Sequence, residues 1–337
     1  MANRMSRARR AVLGGGVAIL AGGGVAILAA ATFASLDPAH AAYPEKPIRV
    51  IVPTQAGGGM DSVARIMQRY FDEHGDVLGQ KMVVVNMDGA GGTVGTRAIK
   101  DAEPDGYTIG MWHEGLVTSN VMGVVDYDHT AFELLGVTGY GDLGFGVGKD
   151  SPYQTFEALL DGARAAPSTV KCATNIGLPV HFVPLMVQDA AGVEFRYVQV
   201  GGGAKRFPSV VAGHTDFAIF GAIELVKWRD ADLVPIVMFA DQRNALLPDV
   251  PTARELGIDV VARNNRIWLG PKGMPPEVVE RLKNAFRTAM EDPAIQEQMV
   301  DQGLVPAFVE PDALLLELNW WAEKAGPLVA KARELQQ

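Results

Sequence analysis

The chain has 337 residues with 30 basic and 39 acidic side chains, a net charge of −9, 48% apolar residues and 20% charged. That composition is ordinary for a globular protein, the length allows two domains, and the acidic balance argues against nucleic acid or an anionic membrane as a partner. With one cysteine, Cys172, no internal disulfide can form.

Arg4, Arg7, Arg9 and Arg10 form a basic start, residues 11–34 are uncharged and rich in Ala, Val, Gly and Leu, and Ala39-His40-Ala41 places small residues where a signal peptidase reads. Residues 1–41 are therefore expected to be a cleaved export signal, with cleavage after Ala41 and either the general or the twin-arginine route open. An exported, acidic, disulfide-free chain is most simply periplasmic.

Residues 48–52 are a β-branched apolar run that predicts a buried strand. Residues 56–59 follow with three consecutive glycines, and from Asp61 onward Val63, Ile66, Met67 and Tyr70 recur at helical spacing. Strand, glycine loop and helix start together aim backbone N–H groups at one point, which suits a carboxylate. A tight turn that binds nothing fits the glycines equally well. Residues 81–86 predict a second strand, which runs into a second glycine loop at 87–93 and a helix through Val94, Ala98 and Ile99. Pro104-Asp105-Gly106 marks a turn, and a third strand over 107–112 ends in Trp112-His113-Glu114-Gly115. Three strand–loop–helix units in succession predict an α/β fold with a doubly wound sheet, in which ligands bind beyond the carboxyl ends of the strands.

Residues 132–147 read as extended strands entering a second lobe. A helix is expected from Ser151-Pro152, then a strand over 170–174 that opens onto the loop 175–181. A strand over 194–200 leads to Gly201-Gly202-Gly203, and another is expected over 217–220. Further strands are expected over 233–240 and 267–271. Thr252 and Glu255 predict a capping box on a short helix, Pro276 opens an amphipathic helix, and a last helix runs from about Pro311.

The export signal, Gly57-Gly58-Gly59-Met60-Asp61, Gly89-Ala90-Gly91-Gly92, Pro104-Asp105-Gly106-Tyr107-Thr108, Leu247-Pro248-Asp249-Val250-Pro251-Thr252 with Glu255, and Trp268-Leu269-Gly270-Pro271 with Gly273 and Pro275 stand in one order and spacing. In this the chain resembles the substrate-binding proteins of tripartite tricarboxylate transporters over residues 43–335. The resemblance implies a two-lobed, hinged periplasmic receptor, with residues 43–147 plus 262–337 as lobe 1 and 148–261 as lobe 2. The crossover would fall near 145–150 and the return near 245–265. It also implies that the loops 54–61 and 173–181 hold a ligand carboxylate through backbone N–H groups, with Gly201 to Gly203 as a further wall. Three features depart from the family pattern. Thr54-Gln55-Ala56 precedes the glycines, Gln199-Val200 replaces Pro-Tyr, and Trp112-His113-Glu114 is bulkier than the usual turn.

The expected ligand-binding residues are Thr54, Gln55, Gly57, Gly58, Gly59, Asp61, Gly91, Trp112, Thr174, Asn175, Gly177, His181, Gly202 and Lys205. Asp61 either caps its helix or accepts a bond from a ligand amino group. His181 either braces its helix or touches ligand. Lys205 and Arg206 either start a solvated helix or meet a second carboxylate, and Arg266 could face the cleft. Trp112 is expected as a cleft wall, Asp126, Asp128 and His129 as solvated loop residues, and Cys172 as inert core. The sequence shows no nucleophile elbow, zinc-protease motif, phosphate loop or dinucleotide fingerprint. No cofactor and no metal are expected. The expected function is capture of a small organic acid by a monomer that delivers it to inner-membrane transporter subunits. A ligand-sensing receptor and an exported enzyme on the same fold are the alternatives.

Overall fold

A computed structural model describes residues 43–334. The expected export signal and its cleavage site lie outside them. In chain order the first elements are β1 (Ile48–Val52), α1 (Gly59–Glu73), α2 (Gly75–Leu78), β2 (Met82–Asn86), α3 (Thr93–Lys100), β3 (Thr108–Trp112) and α4 (Gly115–Val121). The long β4 (Phe132–Gly148) follows, then α5 (Phe156–Ala165), β5 (Lys171–Thr174), α6 (Pro179–Ala191), β6 (Arg196–Gln199), α7 (Gly203–Val211), β7 (Phe217–Gly221), α8 (Ala222–Arg229) and β8 (Leu233–Met238). The chain closes with β9 (Arg263–Pro271), α9 (Pro276–Glu291), α10 (Pro293–Asp301), β10 (Val305–Val309) and α11 (Pro311–Glu334).

These elements make a two-lobed α/β fold. β1 pairs in parallel with β2 and β3, β3 pairs antiparallel with β9, and β9 pairs with β4 from Phe132 to Asp142. β10 covers the other side of the same half of β4. From Leu143 onward β4 changes partners, to β7 on one side and β8 on the other, and β5 and β6 extend that sheet in parallel. One strand thus serves two sheets, and the exchange falls between Asp142 and Leu143. The returning segment is stitched to this point, since Phe239 N donates to Leu143 O and Ala262 N to Phe239 O. β4 reaches its length by bulging against β9 and β10. Gly136 and Gly139 have φ of +113° and +93°, a region that side chains other than glycine rarely enter, and the register shifts there.

The lobe holding β1 is packed by the amphipathic faces of α1 and α9. Val63, Met67 and Phe71 of α1 and Leu282 and Phe286 of α9 are buried against Ile48, Val50 and Trp268. The Trp268 and Phe286 rings stack at 4.2 Å, and the Trp268 indole donates to Thr138 Oγ1 at 2.7 Å. Burying side chains of this size contributes about 1.5–3 kcal/mol each. Cys172 lies in a buried strand, and burial pushes its thiol well above the usual range.

Three local expectations need correction. The helix expected at Ser151-Pro152 starts at Phe156 with Thr155 as its cap, because Gln154 Nε2 bonds Gly148 O, Lys149 O and Ser151 O and holds the preceding turn. Thr252 and Glu255 do exchange reciprocal bonds, but around a turn without a helix. His129 is buried rather than solvated, with Nε2 3.0 Å from Asn319 Oδ1 on α11. Four elements were not anticipated: α2, α4, α8 and β10.

Candidate functional site

The first glycine loop leaves β1 at Val52 and enters α1 at Gly59. Asp61 holds it in shape without acting as a side-chain cap of the helix N-terminus. Its Oδ2 accepts from Gly57 N at 2.8 Å and Arg65 Nε at 2.9 Å, and its Oδ1 accepts from Asn86 Nδ2 at 3.0 Å. Asn86, at the end of β2, also donates to Thr54 O at 3.1 Å and accepts from Arg65 Nη2 at 3.1 Å. Burial alone would push the Asp61 carboxyl up, but bonds from Arg65, Gly57 and Asn86 outweigh it and hold it below the ordinary range. Both oxygens are thus engaged inside the protein. The result is a fixed loop in which Gly57, with φ of +82°, takes a conformation that favours glycine. The N–H groups of Gly58, Gly59, Met60 and Asp61 have no acceptor among the described residues. Gln55 and Gly57 to Gly59 are exposed, and the Thr54 hydroxyl is buried beside Gly58 with no partner.

Behind this loop stands a charged cluster that only the sheet pairing assembles. β3 and β9 pair Trp112 with Ile267, so the next residues, His113 and Arg266, fall side by side. Arg266 is 8% exposed. Its Nη1 donates to Asn264 O at 2.8 Å and Asn264 Oδ1 at 2.9 Å, while its Nε is buried with no partner. Its Nη2 lies 3.5 Å from where a Cβ on Gly59 would sit. Burial pushes the guanidinium down to about 10, against the opposing fields of Glu114 and Glu224, so it stays charged at neutral pH. Burial, with the Arg266 charge, pushes His113 down to about 3. Its Nδ1 accepts from Gly115 N at 2.9 Å, which leaves the neutral ring with its proton on Nε2. Burial and neighbouring Glu317 push Glu114 up to about 8, although bonds from its own backbone and Asn265 N, with the Arg266 charge, act against them. Among the described residues no group of three or more His, Cys, Asp or Glu side chains could hold a metal ion.

The second lobe presents two loops. Thr174 to Leu178 is tied by amides. Gln199 Oε1 accepts from Ile176 N at 2.7 Å, Gln199 Nε2 donates to Asn175 Oδ1 at 2.9 Å, and Thr174 Oγ1 donates to Val180 O at 3.0 Å. This loop meets the first lobe at one rim. A Cβ on Gly91 would lie 3.9 Å from Leu178, and one on Gly177 would lie 3.6 Å from Met122. The other loop, Gly201 to Gly203, is anchored from beneath. Arg206, buried, donates through Nη1 to Gly201 O at 2.7 Å, and Glu224 packs directly against Gly203 while accepting from Gly221 N at 3.0 Å. The field of Glu224 favours the charged form of both Arg206 and Arg266 without an ion pair to either.

Several expected residues sit elsewhere than the sequence suggested. Trp112 is 4% exposed in the core, in a slot that exists because Gly92 has no Cβ to collide with its indole. It is no cleft wall. His181 is 1% exposed, packed edge-on to Tyr197 at 4.9 Å, with neither ring nitrogen bonded and burial pushing it down to about 4. Lys205 is exposed on the first turn of α7, and it is Arg206 that points inward. Glu224 escaped sequence reasoning, and Glu114 stood out only as part of a bulky turn, since no local motif shows what either bonds. A cavity of about 550 Å³ lined by Tyr140, Asp142, Arg243, Arg263 and Leu304 includes none of the fourteen expected residues.

Two lobes sharing a strand, with glycine loops on both, define a solute-binding protein of the periplasmic type. A model described as the tripartite tricarboxylate transporter family receptor matches residues 63–328, and the chain belongs to that family. A protein from the tcbD–tcbE intergenic region of Pseudomonas sp. strain P51 is 30% identical over 290 residues, covering 81% of this chain and 82% of that one. The periplasmic binding protein BugD is 26% identical with a TM-score of 0.72, covering 86% of this chain and 98% of its own. MatC from Rhodopseudomonas palustris, solved with bound malate, shares the fold at a TM-score of 0.73 and 23% identity, covering 85% of this chain and 100% of its own. No helix among the described residues is long and apolar enough to cross a membrane.

Proposed function

We propose that this chain is an exported periplasmic receptor that captures a small organic acid, a di- or tricarboxylate or a related carboxylate, and delivers it to a tripartite membrane transporter. Residues 43–147 with 262–337 would move as one lobe and 148–261 as the other, about the point where β4 changes partners. Ligand would sit between the loops at Thr54 to Asp61, with Gly91, and at Thr174 to Gly177 with Gly202. Capture needs no covalent step, and a monomer suffices for it.

The observation that carries this reading is the fixed, exposed loop at the start of α1. Its N–H groups lack acceptors, and the bonds to Asp61 already fix its shape, so a bound carboxylate need not order it. The family assignment and a malate-bound neighbour of the same fold support it. A thermal-shift screen over aliphatic di- and tricarboxylates, aromatic acids and acidic amino acids tests it. Ligand at about 100 times its Kd adds about 2.7 kcal/mol of stability. An acid that raises the melting temperature is expected, and no response to any acid would end the proposal.

A further inference from the structure

We propose that the free edge of the Arg266 guanidinium and the start of α1 form one carboxylate clamp, in which a ligand carboxylate lies side-on across Nε and Nη2 while the N–H groups of Gly58 to Asp61 take its remaining lone pairs. This rests on the receptor reading above and names the group that decides which end of the ligand is held.

A guanidinium has five N–H donors. The two on Nη1 meet Asn264, and the Nε donor and the two on Nη2 meet nothing among the described residues. Nε and Nη2 share the edge that takes a carboxylate bidentately. That edge faces the helix start, with Nη2 3.5 Å from the Cβ position of Gly59. With no side chain at Gly59, Nη2 comes this close to the helix start. α1 runs 15 residues, so its first-turn N–H groups add partial positive charge to the same point. A buried Nε donor with no acceptor, on a charged group, is costly unless an anion arrives. No protein carboxylate fills the edge. Glu114 gives Oε1 to Asn265 N, and Glu224 is tied to Gly221 N in the other lobe. His113, kept neutral, adds an Nε2 donor next to Arg266 and no competing charge.

The clamp predicts opposite signs for stability and binding at one residue. Replacing a buried cation by an apolar side chain of similar volume relieves its desolvation, and Asn264 is partly exposed, so water can take its freed groups. Arg266→Met should melt at the same temperature as wild type or higher without ligand, and bind acids about 10- to 100-fold more weakly. Arg266→Lys keeps the charge and loses the bidentate edge, and falls between the two. Gly59→Val fills the gap and should weaken the same acids with Arg266 in place.

The experiment is titration calorimetry of wild type, Arg266→Met, Arg266→Lys and Gly59→Val against succinate, malate, citrate and benzoate and the matching amides, with melting curves of each protein alone. Support is a wild type that prefers acid to amide, a preference that collapses in Arg266→Met, and no loss of melting temperature in that variant. If wild type binds and Arg266→Met binds as tightly, or melts lower with unchanged affinity, Arg266 is structural and the clamp is wrong while the receptor stands. If wild type binds none of the acids, the receptor reading fails and the clamp fails with it.

Discussion

The glycine loops of the two lobes are built on different physics. The Gly57 to Gly59 loop is held by a charged carboxylate, Asp61, and backed by a buried cation, Arg266. The Asn175 to Gly177 loop is held by the neutral amides of Gln199 and Asn175 and backed by apolar packing around His181 and Tyr197. The first is electrically loaded and fixed before ligand arrives. The second carries no charge at its hinge points and rests on groups that water can replace. On the proposed reading, the first lobe would grip the anionic end of a ligand and the second would set its fit.

The largest expected effect comes from the loaded side. Glu114 is held near 8 against an ordinary value of 4.5, so the folded protein keeps a proton that the unfolded chain loses. The stability this confers is fully present below about pH 4.5 and is lost as pH rises through about 8. Glu114→Gln should remove that decline and gain on wild type toward pH 8 by an amount on the order of a few kcal/mol. Urea titrations from pH 5 to 9 measure it, and parallel curves for the two proteins would contradict it.

Asp61→Ala comes next. It leaves Gly57 N, Arg65 and Asn86 short of an acceptor and should cost about 2 kcal/mol, with Arg65 partly exposed and screened. Because the Asp61 carboxyl is held low in the fold, its contribution stands above the ordinary aspartate range and fades as pH falls through the depressed value. The gap between wild type and variant should therefore persist at pH 7 and narrow in acid. Gln199→Ala cuts the two amide ties of the opposite loop, which are solvent-accessible, and should cost about 1 kcal/mol with no pH dependence. Equal costs and equal pH profiles for these two variants would erase the contrast between the loops.

What the sequence disclosed follows from range. Glycine runs and helical spacing are local, so the loop at 57–59 and the start of α1 were legible together. The work of Asp61 was not, because Asn86 lies 25 residues on, at the end of a parallel strand. Arg266 could only be suspected, since its neighbour His113 is set by the β3–β9 register, 153 positions away in sequence. Trp112 was misplaced because a bulky residue ending a strand suggests exposure, whereas the slot that buries it comes from Gly92. Thr252 and Glu255 show the converse. The reciprocal bonds formed, yet Gly257, at φ of +81°, turns the chain before a helix can extend. α8 went unseen because Glu224 closes its first turn onto a glycine that carries no side-chain signal.

The central claim is that the start of α1 holds a carboxylate. Titration calorimetry of wild type and Gly58→Val with the most stabilising acid of the thermal screen tests it most directly. Gly58 has extended backbone, with φ of −82°, and its Cβ position meets nothing closer than 3.6 Å, so the variant should fold. Its isopropyl group would stand over the free N–H groups. A folded variant whose affinity falls by about 100-fold or more is expected. A folded variant that binds the acid as wild type does would remove the loop from the site.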